Sequence, residues 1–226
     1  MKLLAIETAT DACSVALQSG GTLAERSSSE PRVHAALVLE MVYECLRESA
    51  LELPDLDVLV FGCGPGSFTG VRIATAVTQG LAFGADIPVV PVSTLAGHAV
   101  SCWRQTGATR IAVAVDARMD ECYWGLFCVD AGGVAQGLGQ ERLTEPGAIP
   151  VPDGNAWTGA GSGWQEFPSL GQAMEGVVDR VEPAVLPLAR DLLATGCRLF
   201  SDGGGVPAHE ALPVYLRESV AWKGGR

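Results

Sequence analysis

The sequence predicts an α/β protein built from two related lobes, and three observations carry that prediction. A strand ending in an acid and followed by a hairpin occurs twice, at residues 2–7 with Glu7 and at residues 110–116 with Asp116. Between the two copies, apolar strand patterns alternate with helical ones. Hydrophobic residues make up 48% of the 226 and charged residues 18%, so the chain can bury a sizeable core and is not disordered.

The elements follow in order. Residues 2–7 form a short apolar strand. Residues 12–18 alternate Cys13, Val15 and Leu17 against Ala12, Ser14, Ala16 and Gln18, and residues 22–28 are weaker. Thr10-Asp11 and Gly20-Gly21 are turn signals, so the first lobe opens as a three-stranded meander. Residues 33–49 are helical: Glu40, Glu44, Arg47 and Glu48 share one face. Leu39, Met41, Val42, Tyr43, Cys45 and Leu46 cover an apolar arc of about 200°, against the roughly 100° that one core needs. Either this helix is packed deeply between sheet and neighbours, or the surplus arc meets another protein. A buried strand at 56–62 then runs into Gly-Pro-Gly-Ser-Phe-Thr-Gly-Val-Arg at 64–72. The helix from about Ser67 to Phe83 has Arg72 as its only charge and Gly70, Ala74, Thr75, Ala76, Thr78, Gly80 and Ala82 as small residues. A helix apolar all round is buried somewhere, in its own lobe or against another helix.

Residues 87–92 read as a strand, and Ser93 or Thr94 caps a helix through about Trp103. Residues 104–109 link to a second unit: strand 110–116, turn 117–120, strand 121–129, turn 130–133 and a further strand. Residues 140–182 are rich in Gly and Pro and weakly patterned. A helix is expected from about Ala184 to Gly196, then a loop at 201–207 and a tail through Lys223. The expected division is a first lobe at 1–106 and a smaller second lobe, with the tail, at 107–226. Folds of the actin, hexokinase and heat-shock ATPase kind are built from two such lobes facing a cleft.

Composition narrows the function. A net charge of −11 with 15 Lys and Arg repels nucleic-acid phosphates, which argues against direct binding of free nucleic acid. The apolar start is short and interrupted by Glu7 and Asp11, and no apolar run is long enough to span a bilayer. Seven cysteines form no C-x-x-C pair, and Cys13, Cys45, Cys122 and Cys128 sit in apolar patterns. They read as buried reduced thiols of a cytoplasmic protein.

The glycine loop fails the standard chemical templates. It has no lysine, which excludes a P-loop. Thr69 stands where the dinucleotide fingerprint needs a third glycine, and Pro65 breaks the nucleophile elbow around Ser67. Ser67 therefore reads as a helix cap. His34, His98 and His209 form no i,i+3 or i,i+4 pair, and Val38, one turn after His34, is no ligand, so neither metal nor catalytic residues are predicted. His34 falls near a helix start, His98 is structural and His209 solvated. Glu7 and Asp116 stand where a two-lobed ATPase holds magnesium-bound water. Gly161 lies in a Gly-Ala-Gly-Ser-Gly loop that would line a nucleotide pocket. These are the nucleotide-related candidates, with turn capping the alternative reading of both acids.

Four stretches resemble the TsaB (YeaZ) family and occur in that family's order: Leu-Ala-Ile-Glu-Thr-Ala-Thr at 4–10, residues 64–72, Ala-Val-Asp-Ala-Arg-Met-Asp-Glu-Cys-Tyr-Trp at 114–124, and Pro-Val-Tyr-Leu-Arg at 213–217. The second and third are the specific ones; relatives often carry Asp at the position of Glu7. The resemblance implies a two-lobed actin-like fold of the ASKHA, ribonuclease H-like class. It also implies a non-catalytic partner of TsaD, the subunit that transfers a threonylcarbamoyl group to adenosine 37 of tRNA, and of the small ATPase TsaE. TsaD is distinguished by a His-x-x-x-His metal motif, where this chain reads His34-Ala-Ala-Leu-Val38. Relatives have been labelled glycoproteases, and no protease chemistry is legible here. No cofactor is implied beyond ATP or ADP with magnesium, weakly or at the partner interface. The resemblance further implies a homodimer when alone and a heterodimer with TsaD, through the early helices. Leu39, Val42, Tyr43, Leu46, Phe68, Val71, Ala74 and Thr78 are the candidate interface. Gly70→Arg or Ala74→Arg is accordingly expected to abolish dimers and spare the fold.

Overall fold

The computed structural model describes residues 1–217; the predicted tail beyond Arg217 lies outside the described residues. The first sheet contains β1 (Lys2–Glu7), β2 (Cys13–Ser19), β3 (Thr22–Ser28), β4 (Val58–Gly62) and β5 (Val89–Val92), in the order β3-β2-β1-β4-β5. β1 to β3 form the antiparallel meander, while β4 and β5 run parallel to β1. The second sheet contains β6 (Arg110–Asp116), β7 (Cys122–Val129), β8 (Ala135–Gly137), β9 (Arg142–Thr144), β10 (Trp157–Ala160) and β11 (Val178–Glu182). Its order, β11-β10-β6-β7-β8 with β9 also on β7, repeats the first plan: an antiparallel meander from β6, then β10 and β11 parallel to it. The repeat legible at Glu7 and Asp116 is therefore a repeat of topology.

Six helices make the remaining layers: α1 (His34–Glu48), α2 (Phe68–Ala85), α3 (Thr94–Thr106), α4 (Gly163–Glu166), α5 (Pro168–Ala173) and α6 (Arg190–Ser201). Strand side chains alternate between faces. Leu4, Ile6, Val15, Leu17, Leu59 and Phe61 point outward to pack with Val38, Met41, Val42 and Ala74 of α1 and α2. Leu3, Ala5, Val58 and Val60 point inward to Leu95, Ala99, Leu192 and Leu193 of α3 and α6, and the same cluster continues into Ile111, Val113 and Phe127 of the second sheet. Ala112, Trp124, Trp164 and Leu170 form a third core on the far face. The layers run α1/α2, first sheet, α3/α6, second sheet, α4/α5. The middle layer fills the space between the sheets, where the sequence suggested a cleft.

Two expectations need correction. The last helix begins at Arg190, not near Ala184: Pro187 disfavours helix before it, and Asp191 Oδ2 accepts the Leu188 N–H at 2.9 Å. It also runs on past Gly196, which has no room for a Cβ beside Val60. That helix packs on the first sheet, and Val206 after it bridges Val89. Residues 140–182, weakly patterned in sequence, hold β9, β10, β11, α4 and α5.

Candidate functional site

The glycine loop locks α2 against the end of β1. The Ser67 N–H donates to the Ala9 carbonyl at 2.7 Å, and Ser67 Oγ accepts from the Gly70 N–H at 3.3 Å, which makes Ser67 the helix cap. Thr8 Oγ1 donates to the Gly70 carbonyl at 2.7 Å. A Cβ on Gly70 would overlap the Thr8 carbonyl, and one on Gly66 would overlap that of Ala9. These glycines serve backbone-to-backbone packing. Gly70→Arg would therefore break the fold, correcting the expectation that it would spare it.

Glu7 is fully buried beside this loop. Its Oε1 accepts the Ala9 N–H at 2.6 Å, and its Oε2 accepts from Thr94 Oγ1 at 3.1 Å. Thr94 Oγ1 in turn accepts the Gly64 N–H at 3.3 Å. The carboxyl thus pins together β1, the glycine loop and the start of α3. Loss of solvation pushes its pKa up to about 7, against the pull of the Ala9 and Thr94 hydrogen bonds. Four residues past Thr94, buried His98 bonds through Nδ1 to the Thr94 carbonyl at 3.0 Å, and desolvation lowers its pKa to about 4.

Asp116 stands at the matching place in the second sheet with different neighbours. Its Oδ1 accepts the Arg118 N–H at 2.8 Å, and its Oδ2 pairs with the Arg118 guanidinium at 2.9 Å. Its own N–H donates to Ser162 Oγ at 3.1 Å, so Asp116 and the 159–163 loop do meet. Gly161 has φ +98° and no room for a Cβ against the Ala114 carbonyl. Each acid closes on local partners. His34 begins α1 with Nε2 3.1 Å from the Thr10 carbonyl oxygen, and exposed His209 pairs loosely with Glu210. Among the described residues, no three His, Cys, Asp or Glu side chains gather as a metal site. The seven cysteines are free thiols, five of them buried.

The eight interface candidates divide. Val42, Val71, Ala74 and Thr78 lie in the chain's own packing under α1 and α2, so they are not available as surface. Leu39, Tyr43 and Phe68 are exposed, Tyr43 at 64%, and Leu46 is half-buried. The outward face of α2 consists of Thr69, Arg72, Ile73, Ala76, Gly80, Phe83 and Gly84, with Phe83 84% exposed. Nothing lies within 4 Å of where a Cβ on Gly80 or Gly84 would sit. Phe83 escaped sequence reasoning, although its spacing of three and seven from Gly80 and Ala76 puts all three on one face. Between the starts of α1 and α2 lies a cavity of about 670 Å³, lined in part by Thr10, Asp11, His34, Ala35, Thr69 and Ile73. The outward face of α2 thus carries one charge, Arg72, and combines exposed Phe83 with small residues.

Comparison with known proteins identifies the family. A family profile described as TsaD, tRNA N6-adenosine threonylcarbamoyltransferase, matches residues 4–150. The chain is 43% identical over 226 residues to the tRNA threonylcarbamoyladenosine biosynthesis protein TsaB of Escherichia coli, covering 99% of this chain and 97% of that one. It is 34% identical over 234 residues to the TsaB of Haemophilus influenzae, covering 99% and 96%. Among solved structures, YeaZ from Pseudomonas aeruginosa matches with a TM-score of 0.88 at 42% identity, over 95% of this chain and 99% of that one. With its repeated sheet plan and full-length similarity, the chain belongs to the TsaB (YeaZ) family, related to TsaD and built on the two-lobed actin-like fold.

Proposed function

We propose that this chain is a non-catalytic scaffold and activating subunit in N6-threonylcarbamoyladenosine synthesis at adenosine 37 of tRNA. It pairs with a TsaD-type catalytic subunit through the outer faces of α1 and α2. The observation that carries the proposal is the exposed, uncharged stripe of Ala76, Gly80 and Phe83 on α2, with Tyr43 and Leu39 also exposed on α1. Fully burying a side chain such as Phe83 contributes about 1.5–3 kcal/mol, so a few anchors offset the cost of association. In the absence of that subunit, two copies pair through the same face. A TsaE-type ATPase joins the assembly, which works in the cytoplasm. With a net charge of −11, the chain leaves tRNA binding to its partners.

The sealed Glu7 supports a role without chemistry, because its carboxyl oxygens are already engaged by Ala9 and Thr94. The proposal assigns the chain no cofactor of its own; a nucleotide with magnesium would be held jointly with the partner. Reconstitution tests the reading. Chain, tRNA and threonylcarbamoyl adenylate without the TsaD-type subunit are expected to give no modified base, and adding that subunit is expected to restore modification. Modified tRNA from the chain alone would overturn it. The alternative reading is an autonomous nucleotide-binding ATPase or kinase-like protein of the same fold, motivated by Glu7, Asp116 and the 159–163 loop; calorimetry with ATP and magnesium checks it, since it requires micromolar binding and turnover.

A further inference from the structure

Residues 211–217 run from α2 to the β6–β7 turn and are tied at four positions. Gln79 of α2 donates from Nε2 to the Ala211 carbonyl at 2.9 Å. The Val214 N–H donates to the Cys63 carbonyl at 2.8 Å, beside the glycine loop. Tyr215 packs on Phe68 with ring centroids 5.8 Å apart, and its hydroxyl accepts from Arg72 Nε at 2.9 Å. Arg72 itself lies 3.5 Å above the Phe68 ring. Two residues on, Arg217 reaches the β6–β7 turn. It pairs with Glu121 at 2.7 Å and donates to the carbonyls of Ala117 at 3.1 Å and Arg118 at 3.4 Å.

That turn is unusual. Arg118, Met119 and Asp120 have φ of 65°, 59° and 59°, three consecutive non-glycine residues in the left-handed region. Each residue with a Cβ disfavours this conformation, and it persists where surrounding contacts over-determine it. Arg217 supplies such contacts from outside the turn. At the other end, Tyr215 is partly exposed next to Phe68, on the N-terminal turn of the helix that carries the docking face. Two residues span at most about 7 Å, so little slack separates Tyr215 from Arg217.

We propose that residues 211–217 form a strap that transmits docking on α2 to the β6–β7 turn: displacing Tyr215 from Phe68 withdraws Arg217 and loosens residues 117–121. The proposal rests on the docking reading above for its trigger, and on the strap's own contacts for its mechanism.

Amide exchange by NMR on the full chain tests both. The Arg118 and Glu121 amides are hydrogen-bonded within the turn, so their exchange reads its opening, and β1 amides control for the fold. Arg217→Ala and Tyr215→Ala are each expected to speed exchange at Arg118 and Glu121 about tenfold without changing β1. Tyr215→Phe, which keeps the ring on Phe68, and Arg217→Lys, which keeps the charge near Glu121, are expected to give smaller changes. Wild-type turn exchange in Tyr215→Ala would overturn the strap. With a TsaD-type subunit bound, as shown by light scattering, turn exchange is expected to rise; binding without that rise would also overturn it. Absence of any binding would overturn the docking reading instead, while Tyr215→Ala still decides whether the strap couples its two ends.

Discussion

The two faces of α2 share a composition of small and apolar residues and differ in what they meet. The inner face, with Gly70, Val71, Ala74 and Thr78, is closed against β1, β4 and its own loop. The outer face, with Ala76, Gly80, Phe83 and Gly84, meets no side chain of the described residues at its glycines. A small residue can mean that a backbone has already come close, or that room is left for one to come. The distinction is invisible in a residue name and decides whether a substitution damages the fold or the association.

The largest effect is expected on the inner face. Gly70→Arg should cost more than about 4 kcal/mol, because a Cβ there meets the Thr8 backbone and not a side chain that can move. Denaturant unfolding measures this, and a near-wild-type midpoint would erase the contrast between the faces. Gly80→Ala offers the opposite case. With open space around it, it should stabilise the folded chain by roughly 0.5–1 kcal/mol while weakening any close helix contact.

Next comes the acid behind the inner face. Glu7 is raised to about 7, so its contribution to stability is complete below pH 4.5 and is lost as pH rises from there through 7. His98, lowered to about 4, acts in the opposite sense: its contribution is complete above pH 6.5 and is lost as pH falls toward 4. The slopes oppose each other between pH 4.5 and 6.5, so the wild-type profile should be shallow there. Glu7→Gln should unmask the His98 slope. Its stability relative to wild type should climb by on the order of 3 kcal/mol between pH 4.5 and 7, at about 1.4 kcal/mol per pH unit. Unfolding at a series of pH values reads this, and a constant difference would mean that Glu7 does not titrate in that range. The smallest effect is at the cap joining the two faces: Ser67→Ala should cost about 1 kcal/mol in unfolding experiments.

Much of the fold was legible because its signals are local. The meander, the glycine-loop entry and the caps at Ser67 and Ser93 depend on alternation, turn residues and hydroxyls in sequence. The short elements of 140–182 were not legible, because strands of three to five residues carry too little periodicity. Which face of α2 is exposed was half legible. In a helix apolar all round, nothing in the pattern says which side the sheet takes, so the pattern does not separate buried Val71, Ala74 and Thr78 from exposed Phe68 and Phe83. Glu7 was visible as an acid ending a strand, but its burial follows from the loop and α3 closing over it.

Light scattering on the full chain, alone and mixed with a TsaD-type subunit, tests the docking face most directly when Phe83→Asp is compared with wild type. Phe83 is 84% exposed, so the folded chain should tolerate the change within about 0.5 kcal/mol. Its association with either partner should weaken roughly 10- to 100-fold, the loss of one buried aromatic anchor. Association equal to wild type, with the melting temperature unchanged, would contradict the assignment of the outer face of α2 as the docking surface.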